Sequence, residues 1–290
     1  MSEGKEWLHA HNNNDDDDDS SQGSVDSNDT LQNFVQFTSH RNKTHLEEAI
    51  SITYPLPDSA AQPKSLRLST LLGEEDLVPL FDGAGWAGTR VWAAAIWGTK
   101  YLIDQYGDDQ KMSLCELGWG LGVPGMVWHQ LGNDVVLTDQ ERIMAQMVQN
   151  ARSNFTESFL DTVDESERDT GTLGKIYAKP LSWSREGFHT LLESTGFHQG
   201  FDIVLNCDCV YEPLYGKSWE LLVEVIDECL KVNPKCLVVT SVERRNADGI
   251  NLFVERMKES VHVGSVEMVM ENKDRDLELY VTRGIIAEVE

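Results

Sequence analysis

The residues whose types and spacing could do chemistry lie first between Glu116 and Asp139: Glu116, Gly118, Gly120, Gly122, Pro124, Gly125 and Asp139. Glycines in that pattern let a backbone approach a ligand closely. A helix starting behind them offers free N–H groups and the positive end of its dipole. Pro124 suits the first turn of such a helix, where a missing N–H costs nothing. Asp139, at the tip of the next apolar run, can accept hydrogen bonds from both hydroxyls of a ribose. Gly120, Gly122 and Gly125 also spell G-x-G-x-x-G, with Asp139 about 20 residues further on, as in a dinucleotide site. Glu116 argues the other way, because an acid ahead of the loop repels a pyrophosphate and suits a cationic ligand. A second set, Asp208-Cys209-Val210-Tyr211, follows the apolar run Phe201 to Leu205. Open α/β folds place their ligands at that end of a strand. The bland alternative makes Asp208 a helix cap and Tyr211 a core residue.

Around these residues the pattern predicts the elements that position them. Met112 to Cys115 and Val135 to Leu137 read as strands joined by a helix to Leu131, a β-α-β unit. Val91 to Ile103 reads as a helix capped by Thr89, and a further helix runs through Ile143, Met144, Met147 and Val148 to Asn154. A polar, mobile insertion is expected near 156–174, then strands at Ile176 to Ala178 and Phe201 to Leu205. One amphipathic helix is expected over Leu214 to Val232, a strand over Cys236 to Thr240, and a terminal antiparallel pair over Val261 to Met270 and Leu277 to Thr282. The fold class is α/β: a Rossmann-like, mostly parallel seven-stranded sheet with helices on both faces. Residues 81–290 form this domain and residues 31–80 a β-hairpin extension, where Ile50, Ile52 and Tyr54, then Leu66 and Leu68, alternate. Residues 1–30, with Asp15 to Asp19, read as a disordered acidic tail.

Composition narrows the partners. The formal charge is −25. Duplex nucleic acid is therefore not expected as a partner, since phosphate binding needs clustered Lys and Arg. A basic protein or peptide fits, and simple solubility explains the charge equally well. The five cysteines have no metal-site spacing and read as reduced, buried thiols, and no metal is expected. Neither a signal peptide nor a membrane-spanning apolar run is present, so a cytoplasmic monomer is expected, with the nucleus as the other compartment.

The fuller pattern Glu116-x-Gly118-x-Gly120-x-Gly122 resembles the first motif of the seven-strand S-adenosylmethionine-dependent methyltransferases. Trp92-Ala93-Ala94 before the loop, Leu181-Ser182-Trp183 and Asp208-x-x-Tyr211 resemble more narrowly the non-SET protein-lysine methyltransferases of the nicotinamide N-methyltransferase-like group. The resemblance covers roughly residues 80–285. It implies S-adenosylmethionine bound by Trp92, Glu116, Gly118, Gly120, Gly122, Asp139, Trp183 and Asp208. It implies Asp208 and Tyr211 at the reaction centre, and Tyr211, Arg245 and Phe253 towards the substrate, a protein lysine. An aromatic face at Trp92 has a rationale beside a cation, although ordinary core packing is the alternative. Ser182 stands where the family has an acid, Trp119 where it has a small residue and Leu121 where it has a threonine. A small-molecule N-methyltransferase, a cofactor-binding pseudoenzyme and a dinucleotide oxidoreductase are the other readings.

Overall fold

The computed structural model describes residues 36–41, 48–54, 56, 65–69, 91–108, 111–163 and 173–286. The acidic tail, the Gly83 to Arg90 segment with the expected cap Thr89, and residues 164–172 lie outside the described residues. Seven strands form one sheet: β4 (Leu114–Leu117), β5 (Val135–Asp139), β6 (Ile176–Pro180), β7 (Ile203–Cys207), β8 (Leu237–Glu243), β9 (Val263–Asn272) and β10 (Leu277–Gly284). Their spatial order is β6-β5-β4-β7-β8-β10-β9. Pairs from β6 to β8 are parallel, and β10 runs antiparallel to both β8 and β9. The connections reverse direction between β4 and β7, and such a switch point opens a crevice at the strands' carboxyl ends.

The central strands are apolar on both faces because helices cover both. Leu114, Val135, Leu137, Ile203 and Leu205 face α1 (Ala93–Tyr106), α2 (Val123–Gln130) and α3 (Met144–Asn154). The alternate residues Cys115, Leu117, Val136 and Val204 face α4 (Arg185–Thr195), α6 (Trp219–Val232) and α7 (Ile250–Lys258). The single helix expected over Leu214 to Val232 is two, α5 (Glu212–Tyr215) and α6, broken at Gly216, whose φ of 57° and ψ of −144° end the first.

α1 lies close on the sheet because its inner face is small. A Cβ on Gly98 would sit 3.1 Å from the Cys207 sulfur, and the Ser241 hydroxyl donates to the Ala94 carbonyl at 2.7 Å. The N-cap of α1 is Trp92, with no side-chain cap hydrogen bond.

The N-terminal extension has one strand more than a hairpin: β1 (Gln36–Arg41), β2 (Glu48–Thr53) and β3 (Ser65–Ser69) pair antiparallel in that order. Asn150 and Asn154 of α3 accept from the β3 backbone at Ser69 and Arg67, and Gln146 donates back to Ser69. Part of the expected polar insertion is core instead. Phe155, Phe159 and Leu160 are buried, the Phe155 ring meets His129 edge-on at 4.8 Å, and the Leu160 N–H donates to the Ile176 carbonyl.

Candidate active site

The crevice holds a cavity of about 740 Å³ above the β4–β7 switch point. Its floor is the glycine loop. Gly118, Gly120 and Gly122 all have positive φ, 68°, 55° and 70°, and Gly122 is the N-cap of α2 with Pro124 in the first turn. At two of these positions the chain requires glycine for a second reason. A Cβ on Gly118 would lie 2.5 Å from the Cys209 sulfur, and one on Gly122 would lie 0.9 Å from Trp119 Nε1. Trp119 is thus turned inward, 3% exposed, across the loop, and its indole N–H has no hydrogen-bond partner among the described residues.

Two carboxylates brace the loop. Glu116 Oε2 accepts from the Gly125 N–H at 2.8 Å, which ties β4 to the first turn of α2. Burial pushes the Glu116 carboxyl up, opposed by that N–H. Asp139 accepts from the Gly120 N–H at 2.9 Å with Oδ2 and from the Gln140 N–H at 2.7 Å with Oδ1. Burial pushes its carboxyl up to about 6 against those two bonds. Each Asp139 oxygen retains acceptor capacity for a hydroxyl. Leu181, whose N–H donates to the Asp139 carbonyl, stands on the same wall with Ile143 and Trp183. Trp92 and Ala95 of α1 supply the opposite wall, and Leu214, Tyr215 and Leu221 an apolar lip.

Asp208 lines the cavity from the end of β7, with a left-handed φ of 56° and its N–H given to the Ser241 carbonyl. Its carboxylate meets the Arg245 guanidinium fork to fork, Nη1 to Oδ1 at 3.0 Å and Nη2 to Oδ2 at 2.6 Å. Glu243 adds a second carboxylate 3.0 Å from Nη2. The guanidinium carbon lies 5.5 Å from the Trp92 ring centre and 5.2 Å from that of Tyr211.

Of the residues expected at the site, Trp92, Glu116, Gly118, Gly120, Gly122, Asp139, Trp183 and Asp208 come together on the cavity wall. Three do not. Phe253, on α7, is 2% exposed and packs in the core on the far face of the sheet, outside the cavity lining. Its helical spacing with Ile250, Val254 and Met257 is that of a core stripe. Arg245 and Tyr211 stand behind the wall, occupied with Asp208 and with each other. Sequence reasoning missed Leu121, Ile143, Leu214, Tyr215 and Leu221; the available signal was their position just after strand ends or at helix starts.

The donor set separates the two cofactor classes. The described wall carries four carboxylates, Glu116, Asp139, Glu141 and Asp208, against one arginine, Arg142. A pyrophosphate would find a single arginine among four acids there, whereas a nucleoside bearing a cation meets those acids and three indoles, Trp92, Trp119 and Trp183. S-adenosylmethionine fits these residues.

Over 134 residues the chain is 39% identical to "Secreted RxLR effector protein 48" of Plasmopara viticola, covering 46% of this chain and 64% of that protein. It is 26% identical to EEF1A lysine methyltransferase 3 of Xenopus tropicalis, covering 67% of this chain and 74% of that one. With Protein N-lysine methyltransferase METTL21A of Xenopus tropicalis the figures are 28% identity, 42% of this chain and 46% of the other. The chain thus spans less than two thirds of the first and third of these relatives. The family model described as lysine methyltransferase matches residues 81–260, which hold every cavity-lining residue named above, and the chain belongs to that family.

Proposed function

We propose that this protein transfers a methyl group from S-adenosylmethionine to a lysine side chain of a protein substrate. The observation that carries the reading is the cavity itself: a space of about 740 Å³ whose wall is acidic and aromatic, built on a glycine loop. Family membership supplies the lysine acceptor.

In this reading Asp139 receives the ribose hydroxyls, and Leu181, Trp183 and Ile143 flank the base. The N–H groups of the Gly118–Gly122 turn and the acid Glu116 stand at the other end of the ligand. When bound, S-adenosylmethionine supplies a methyl group that leaves its sulfur, the carbon–sulfur electron pair staying on sulfur, as the lysine nitrogen forms the new bond. Trp92 offers its face to that positive centre. Asp208 accepts a hydrogen bond from the acceptor nitrogen and so aims its lone pair; positioning of this kind contributes up to roughly 7–11 kcal/mol in the best cases.

Lysine has a reference pKa of about 10.4, so about one side chain in a thousand is neutral near pH 7. The apolar lip of Leu214 and Leu221 lowers that barrier by excluding water, which disfavours the ammonium. The formal charge of −25 suits a basic protein as substrate, captured by a monomer. All five cysteines are free, in keeping with a reducing compartment such as the cytoplasm.

The test uses purified protein, tritium-labelled S-adenosylmethionine and total lysate protein, read by mass spectrometry, beside calorimetry with S-adenosylmethionine and with NAD. Label on protein lysines with no NAD binding is expected. Label confined to free amines would make it a small-molecule enzyme, and NAD binding without the sulfonium would overturn the cofactor.

A further inference from the structure

Arg245 is the cation in direct contact with Asp208, yet it does not line the cavity. Its side chain is 21% exposed, beside an Asp208 side chain at 6%. Its backbone N–H donates to Asp248, whose carboxylate also takes the Ile250 N–H and the Arg244 side chain, so the turn that carries it is held at several points. The guanidinium is spent on two carboxylates and two ring faces. A group so occupied has no free fork for a ligand, but it sets the charge and the aim of the carboxylate in front of it.

That charge matters to an amine that must lose a proton before it can attack. A carboxylate near an ammonium favours the protonated form, and a cation disfavours it. Around Asp208 stand Glu243 on β8, Glu116 on β4, Asp139 at the end of β5, the thiols Cys207 and Cys209, Tyr211, and Tyr215 on α5. Burial first of all raises Cys207, Cys209 and Tyr215, which keeps those three neutral, and it raises Glu116 too, which leaves Asp208, Glu243 and Asp139 as the acids that count. The acids therefore outnumber the cations, and Arg245 is what offsets them at Asp208 itself. Two further features argue for positioning rather than bulk stability. Trp92 is shared between cavity and guanidinium, so Arg245 also fixes an indole that faces the ligand. The bidentate pairing also holds both Asp208 oxygens in one plane; Oδ1 takes the Glu243 N–H as well, at 3.2 Å, which leaves Oδ2 as the oxygen with acceptor capacity to spare.

We propose that Arg245 is a positioning residue for methyl transfer: it offsets the negative charge of Asp208 and Glu243 and fixes the Asp208 carboxylate, so that the acceptor ammonium sheds its proton to solvent before attack. Arg245 itself takes no proton and touches neither cofactor nor substrate. The inference rests on the lysine-acceptor reading above.

The test is the pH–rate profile of methyl transfer to total lysate protein, from about pH 6 to 10, for the full chain and three variants. Arg245→Met keeps the stem and removes the charge. It should move the acidic limb of the profile upward by about one unit. Glu243→Gln removes the second carboxylate and should move the limb the other way. Arg245→Lys keeps the charge without the fork, so its limb should stay near that of the parent while the plateau rate falls. Calorimetric affinity for S-adenosylhomocysteine should change less than threefold in each variant, which reads the cofactor site without turnover. Equal loss of rate at every pH in Arg245→Met, or shifts of the same sign in Arg245→Met and Glu243→Gln, would overturn the inference; where Arg245→Met does not fold, an unmoved limb in Glu243→Gln overturns it. If the unaltered protein labels no lysine at any pH, the acceptor reading itself fails, which is a different outcome from an unmoved limb in an active enzyme.

Discussion

The glycine loop and the Asp208–Arg245 cluster rise from the neighbouring strands β4 and β7 but are built from different material. The loop is made of backbone: three left-handed glycines, and two carboxylates that each accept a main-chain N–H, 9 and 19 residues away along the chain. The cluster is made of side chains brought together by the fold, with Trp92, Asp208, Tyr211 and Glu243 converging on Arg245. A backbone site tolerates change in what its side chains are but none in where its Cβ atoms would go. A side-chain cluster tolerates crowding but not an unpaired charge. The two should therefore fail in different ways.

The largest effect is expected from Asp208→Ala. It strips Arg245 of its bidentate partner, and removing one member of a buried pair costs about 3–5 kcal/mol. The 21% exposure of Arg245 and the remaining Glu243 pull the loss towards the lower figure. A fall in melting temperature of roughly 6–12 °C is expected, since a chain of this size loses about 2–4 °C per kcal/mol. Turnover should drop at least about tenfold in single-turnover assays, as expected for loss of a group that orients the acceptor. A variant that melts like the parent would show that the cluster stores no stability, and the contrast with the loop would collapse.

Gly122→Ala probes the other side. The left-handed backbone costs about 1–2 kcal/mol, and displacing the Trp119 indole a further 1–3 kcal/mol or so. Gly196→Ala is the control: it has the same handedness at the end of α4, away from the cavity, with its nearest neighbour, Val163, at 3.1 Å. Calorimetry should show cofactor binding lost in the first variant and unchanged in the second. Equal behaviour would mean that the loop's shape does not matter to the ligand.

Asp139→Ala is the next step down. It removes charge-assisted hydrogen bonds worth roughly 1.5–3 kcal/mol, so cofactor affinity should fall about ten- to a hundredfold. Asp139 also predicts a pH effect. Its carboxyl sits at about 6 in the folded protein, above its ordinary value, through burial. A raised acid destabilises the fold in full above that pH, and the penalty fades as pH falls from about 6 towards the ordinary carboxyl value of about 4. Hydroxyl donors favour the ionised form, so cofactor affinity should weaken over the same descent. Titrations between about pH 5 and 8 should show that slope in the parent and none in Asp139→Asn.

Tyr211→Phe should do least. The ring that meets Arg245 remains and the residue does not line the cavity, so stability should stay within about 0.5 kcal/mol. Tyr211→Ala removes the cation–π contact and should cost about 0.5–2 kcal/mol. A strong loss of turnover in Tyr211→Phe at full stability would bring the hydroxyl back to the acceptor.

Much of the loop was legible because its rules are local. Glycines spaced two apart, a proline in the first turn and an acid at the next strand tip describe one β-α-β unit, and that unit forms between β4 and β5. The seven strands were legible for the same reason, since period and run length state which residues are buried. Errors came where packing overrides pattern. Phe159 and Leu160 sit in a segment that reads as polar, yet His129, Phe155 and Ile176 draw it into the core. Phe253 looks like a site residue by motif and is core by helical face.

By itself the sequence determined the fold class, the glycine turn and the acids at the strand tips, because backbone conformation and strand burial follow from neighbours along the chain. Only the tertiary structure decided that Trp119 folds inward over Gly122, that the described cavity wall is acidic with one arginine, and that Arg245 pairs with Asp208 outside the cavity lining. Those are relations between side chains on different strands and turns, and charge pairing between them depends on distances that exist only once the sheet has assembled.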